Sequence, residues 1–128
     1  MGKIGILTLI IIAATLSACG NFEWFPEYAD TTAPTVSATV AGNSIFNNRT
    51  THVTSLPASV TFFSTEAATI YYTTNGNNPD TSSAAIAVSS SGGSAGPSIT
   101  VTNTILKFFG IDQSSNSSAI QTGIIKSP

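Results

Sequence analysis

Residues 68–83 read A-T-I-Y-Y-T-T-N-G-N-N-P-D-T-S-S, and this stretch decides the fold. It opens with β-branched and aromatic residues in alternation, the composition of a half-buried strand. Ile70, Tyr72 and Thr74 fall on one side of such a strand, and Thr69, Tyr71 and Thr73 on the other. Asn75-Gly76 then signals a tight turn, because both residue types tolerate positive φ. Pro79 keeps Asn78 out of the helical region and has no N–H to give to a ladder. A strand running into a rigid, Asn-rich corner belongs to an all-β domain whose register is set here.

The same pattern extends in both directions. Upstream, residues 35–40 alternate, with Val36, Ala38 and Val40 on one face. Residues 41–43 turn the chain, and Ile45-Phe46 is expected to plug an apolar gap. Residues 47–55 are polar, contain Arg49, His52 and Val53, and suit a short edge strand before the turn at Leu56-Pro57-Ala58. In residues 59–64, Val60 and Phe62 share a face, with Thr61 and Phe63 opposite. Downstream, residues 84–88 form a short apolar strand and 89–96 a Ser/Gly-rich flexible loop. Pro97 leads into a strand over 98–102, with Ile99 and Val101 pointing one way. Residues 104–111, T-I-L-K-F-F-G-I, are the second strong strand, and 112–118 are a turn. Residues 119–126 close the sheet with Ile120 and Ile124 inward. About seven strands at this spacing predict an immunoglobulin-like β-sandwich.

The beginning of the chain reads as an address. Lys3 precedes an uncharged, mostly apolar run over 4–16. That run is shorter than the roughly 20 residues a membrane-spanning helix needs, and suits a signal peptide. Leu16-Ser17-Ala18-Cys19-Gly20 resembles the lipobox of bacterial lipoproteins, in which the cysteine becomes the lipidated N-terminus. The resemblance implies a signal peptide over 1–18, an acylated tether over 19–32 beginning at Cys19, and a domain over 33–128. Gly20 rather than Asp after the cysteine points, by that family's sorting rule, to the outer membrane. Several acyl chains would hold the protein there, since a single chain binds only marginally. An ordinary thiol after a conventional cleavage site and an uncleaved anchor are the competing readings. Cys19 is the only cysteine, so no intrachain disulfide supports the domain.

Removal of residues 1–18 leaves 128 − 18 = 110 residues, enough for one compact domain and a tether. Arg49, Lys107 and Lys126 then face six acids, a formal charge of 3 − 6 = −3. Such a surface lacks the cations that neutralise phosphates, which argues against nucleic acid as a partner. Residues 21–30, N-F-E-W-F-P-E-Y-A-D, combine four aromatics with three acids. Trp24 and Phe25 are candidate contacts for the membrane interface, although the acids oppose anionic lipid. A docking peptide for an envelope partner, or rings folded back over the domain's edge, fits the same residues.

Catalysis has little to work with. Nucleophilic chemistry needs a nucleophile, a base and an orienting group, and the single histidine, His52, sits in a polar edge segment. Glu66, Asp80 and Asp112 are scattered, with no spacing that suggests a glycosidase pair. Asn75, Asn77, Asn78 and Asp80 offer oxygens that calcium would accept, but the same side chains commonly hold turns by bonding their own backbone. The turn reading is preferred, and no metal or cofactor is assigned. The outward faces of the strong strands carry the more informative candidates. If Ile70, Tyr72, Leu106 and Phe108 face inward, Tyr71, Lys107 and Phe109 face outward, and Tyr71 and Phe109 could align as an exposed aromatic strip.

Ile70-Tyr71-Tyr72-Thr73-Thr74-Asn75-Gly76-Asn77-Asn78-Pro79 resembles the I-Y-Y-T-x-D-G-x-x-P signature of chitobiase/β-hexosaminidase C-terminal-type domains. The run from Leu106-Lys107 through Gly110, Asp112 and Asn116 to Ser118 is similar to that family's L-K-x-x-A-x-D-x-x-G-N-x-S segment, and Pro34-Thr35-Val36-Ser37 fits its opening strand. The likeness covers roughly residues 33–126. Asn75 replaces the usual Asp, Gly110 the usual Ala, and Ser115 the usual Gly. The resemblance implies an immunoglobulin-like accessory domain with no catalytic residue to carry over. The combined expectation is a non-enzymatic, membrane-tethered envelope lipoprotein serving a structural or protein-interaction role. The alternative is a carbohydrate-binding module using Tyr71 and Phe109.

Overall fold

A computed structural model describes residues 29–45 and 50–128. Every regular element among them is a strand: β1 (Val36–Val40), β2 (Asn43–Ile45), β3 (Thr50–Val53), β4 (Ala58–Ser64), β5 (Ala68–Thr73), β6 (Ala84–Val88), β7 (Ser94–Ile99), β8 (Thr104–Asp112) and β9 (Gln121–Lys126). They form a four-stranded sheet in the order β2-β1-β4-β7 and a five-stranded sheet in the order β3-β9-β8-β5-β6. All pairings are antiparallel except β3 with β9. The architecture is the expected all-β immunoglobulin-like sandwich, with nine described strands rather than about seven. The signal segment, Cys19, Trp24, Phe25, Phe46, Arg49 and the side chain of Ile45 lie outside the described residues.

Where hydrophobic alternation is clean, burial follows it. Val36, Ala38 and Val40 are buried in β1, as are Val60 and Phe62 in β4, Ile70 in β5, and Leu106 and Phe108 in β8. These residues meet between the sheets. At their centre, the Phe62 ring from β4 lies 5.4 Å from Tyr72 and 5.2 Å from Phe108, both of the opposite sheet. Gly96 of β7 lies against the same ring, and a Cβ there would come within 2.6 Å of Phe62 Cε2.

That approach explains one departure from expectation. Residues 94–96, read as part of a flexible loop, begin β7, and Ser94 and Ala95 pair with Phe62 and Thr61 of β4. Their small side chains let a backbone pass close to a large ring, rather than conferring freedom. The strand therefore ends at Ile99, and Val101, expected inward, is 66% exposed. β9 differs by phase. Ile125 and Gly123 point inward, whereas Ile120 is 43% exposed and Ile124 lies on the outer face. Two adjacent isoleucines satisfy either register, and a one-residue slip exchanges the faces. The turn after β1 is a two-residue hairpin at Ala41 (φ 48) and Gly42 (φ 80), and Asn43 already belongs to β2. At the Asn75-Gly76 corner only Gly76 (φ 83) adopts positive φ. The chain there bridges to Ile105 and continues through a longer loop to β6, rather than reversing directly.

Because Tyr72 and Phe108 flank Phe62, its ring cannot yield to a new methyl group. Gly96→Ala should destabilise the fold by about 1–3 kcal/mol, and the same substitution in a Phe62→Leu background should cost clearly less. Paired urea titrations of the four proteins measure this coupling, and additive effects would contradict the contact.

Candidate functional site

The outer face of the five-stranded sheet is built by β5, β8 and β9. Tyr71 pairs in register with Phe109, as the alternation predicts. Their rings are stacked, with centroids 5.5 Å apart and planes inclined by 24°. Phe109, however, is only 8% exposed, and Tyr71 is half-buried. The expected exposed strip is met only in part: Tyr71 and Phe109 align and stack, but Phe109 is nearly buried and only Tyr71 stays partly accessible. Farther along the same face, Gly76, Ile105, Lys107, Thr122 and Ile124 line a depression of about 290 Å³. Ile105 is 37% exposed there, and Ile124 lies opposite it in register. Lys107 donates from Nζ to Asn78 Oδ1 at 2.8 Å, which ties the depression's rim to the Asn-rich corner.

Three side-chain oxygens of that corner are already engaged. Asn75 Oδ1 accepts the Asn77 N–H at 3.0 Å. Asp80 Oδ1 accepts from the Ser82 N–H at 2.9 Å and from the Ser82 and Ser83 hydroxyls. The Ser82 hydroxyl and N–H, with Ser83, hold the Asp80 carboxyl below the ordinary Asp value. These are the self-bonded turns that Asn and Asp favour. Asn78 Oδ1 accepts from the ammonium of Lys107, so the corner is tied to β8 as well as to its own backbone.

Contrary to the scattered picture, the fold gathers three carboxylates at one end of the sandwich. Oxygens of Asp30, Glu66 and Asp112 lie within 4.8 Å of one another. Asp112 is committed to a clasp. Its two oxygens accept the backbone N–H and side-chain amide of Asn116, each at 2.8 Å, and the Asn116 amide also donates to the Asp30 carbonyl at 2.9 Å. Gly110 and Ser118 complete it, with the Gly110 N–H donating to the Ser118 hydroxyl and the Ser118 N–H to the Gly110 carbonyl, both at 2.9 Å. Burial pushes the Asp112 carboxyl up, but the hydrogen bonds from Asn116, Ser114 and Ser115 outweigh it and leave the group below its ordinary value. Glu66 shows the opposite balance: burial, then the charges of Asp30 and Asp112, raise it.

Two of the three sequence departures, Gly110 and Ser115, fall within this clasp. Ser115 adopts φ 70, a conformation for which glycine is the usual choice. A Cβ on Gly110 would meet Val36 Cγ1 at 2.5 Å, so the valine of β1 occupies the space an alanine would need. His52 pairs in register with Ile125, and its Nε2 is buried with no hydrogen-bond partner among the described residues. The histidine is thus not oriented by any hydrogen-bonding group at that nitrogen.

The family model described as "Chitobiase/beta-hexosaminidase C-terminal domain" matches residues 50–122. No curated protein and no solved structure matches the chain.

Glu66 carries a pH prediction. With its folded pKa raised, its contribution to stability is fully present below the unfolded value and is lost as pH rises through the folded one. Glu66→Gln should therefore stabilise the protein at pH 7, and the gain should vanish well below the ordinary Glu value of 4.5. Denaturant midpoints of both proteins across that range measure it. A gain independent of pH would contradict the electrostatic origin.

Proposed function

The chain belongs to the chitobiase/beta-hexosaminidase C-terminal domain family, and from that premise we propose that it is a non-enzymatic, lipid-tethered envelope protein whose sandwich docks another protein. The family is an immunoglobulin-like accessory domain of carbohydrate-active enzymes and is non-catalytic in glycosidases. The observation that carries the reading is the condition of the outer face of the five-stranded sheet. A two-ring sugar platform needs both rings open, but Phe109 is nearly buried and leaves only Tyr71 partly accessible. The depression on that face is lined by Ile105 and Ile124, with Lys107 and Thr122 beside them. Aliphatic patches of this kind exclude water against a partner's side chains rather than stack on pyranose rings. The Nε2 of His52 is buried and, among the described residues, bonds no nucleophile. The resemblance at Leu16-Ser17-Ala18-Cys19-Gly20 supports tethering through Cys19, with the outer membrane as destination.

A photoreactive amino acid at Ile105, with Phe63 on the opposite sheet as the control position, tests the docking face in intact cells. A discrete protein adduct at position 105, absent at 63 and lost on Ile124→Asp, is expected. No adduct, together with binding to insoluble polysaccharide that Tyr71→Ala abolishes, would transfer the assignment to carbohydrate recognition.

A further inference from the structure

Strand edges expose unpaired backbone donors and acceptors, and proteins guard them by brevity, proline, bulges or charge. Three of the four described edges here are guarded. β2 has three residues and β3 four, while β7 carries Pro97 and a register shift against β4. β6 has none of these protections. Among the described residues it pairs only with β5, in an unbroken register from Ala68↔Val88 to Tyr72↔Ala84. It contains no proline, and the chain carries no charged residue over 81–106.

The direction of the free groups can be read from one hydrogen bond. The Ser94 hydroxyl, from beyond the edge, donates to the Ala87 carbonyl at 2.9 Å. That carbonyl therefore points away from β5. Backbone groups alternate between the two sides of an antiparallel strand, so the Ala87 N–H and both backbone groups of Ala85 point outward as well. Ala84, Ala85 and Ala87 are exposed.

We propose that β6 is a self-association edge, to which a second copy of this chain adds its own Ala84–Val88 antiparallel about a two-fold axis. The two five-stranded sheets would then be continuous. A two-fold contact sets each residue against members of the same patch, so any charge would confront its own mate, and this edge has none. Alanines on both sides of the junction let the two backbones approach without competing side chains. Ala85 supplies an N–H and a C=O that bond reciprocally with those of its mate. Because Ser94 already engages the Ala87 carbonyl, the axis lies at the Ala85 end. A short edge covers little area, so the association is weak and concentration-dependent. The edge is separate from the docking face around Ile105, and neither reading requires the other.

Sedimentation equilibrium of the full chain in nonionic detergent, combined with amide exchange at Ala85, tests this. A monomer–dimer equilibrium is expected, with Ala85 exchange slowing as concentration rises. Ala85→Lys places like charges across the axis, and Ala87→Pro removes an outward N–H without touching the β5 ladder. Each should raise the dissociation constant by at least about tenfold. If Ala87→Pro fails to fold, the exposed Ala85→Lys decides alone. A monomer at every concentration up to about 1 mM, or a dimer that Ala85→Lys leaves intact, would overturn the proposal.

Discussion

The sandwich depends on Phe62 reaching across from one sheet to stand between Tyr72 and Phe108 of the other. Each tilted pair is worth about 0.5–1.5 kcal/mol beyond the area it buries. The contact also fixes the separation and relative phase of the sheets. It requires a neighbour without a side chain, which Gly96 supplies. With Cys19 the only cysteine, no intrachain disulfide can substitute for this packing, and the domain stands on its core.

A second constraint governs the end of the sandwich where β8 terminates. Asp112 and Asn116 bond reciprocally, and the Asn116 amide reaches the Asp30 carbonyl, so one turn holds the lead-in to β1 against β8. The arrangement brings Asp30 and Glu66 close to a carboxylate that stays ionised. Asp112 is compensated by its donors, whereas Glu66 bears the repulsion. The motif that carries the family resemblance is thus a mechanical device. Its Asp, Asn and Ser accept and donate the bonds that close the turn, and none is held free for chemistry.

The fold was legible wherever one face of a strand was unambiguously apolar. In β1, β4, β5 and β8 the alternation predicts burial and even the Tyr71–Phe109 register. It fails where the local pattern admits two answers, as with the adjacent Ile124 and Ile125. It also fails at Gly96, where glycine signals close approach rather than flexibility. Within the candidate site, sequence placed Tyr71 and Phe109 side by side but could not show that Phe109 is nearly buried there, since that depends on ring orientation and packing. Nor could it foresee the meeting of Asp30, Glu66 and Asp112. These residues lie on three separate segments that only the closed sandwich brings to one end.

The proposed role rests on two features: an outer-face depression lined by Ile105 and Ile124, without an open two-ring platform, and a lipobox-like sequence that would hold this face near a membrane. Such a tether would matter physically, because confinement raises the effective concentration of a weakly binding surface. The mass of the mature N-terminal peptide from membrane fractions, in the native protein and in Cys19→Ala, tests it most directly. The account predicts an acylated peptide beginning at Cys19 that disappears in the variant. An unmodified terminus on protein recovered in the soluble fraction would contradict it.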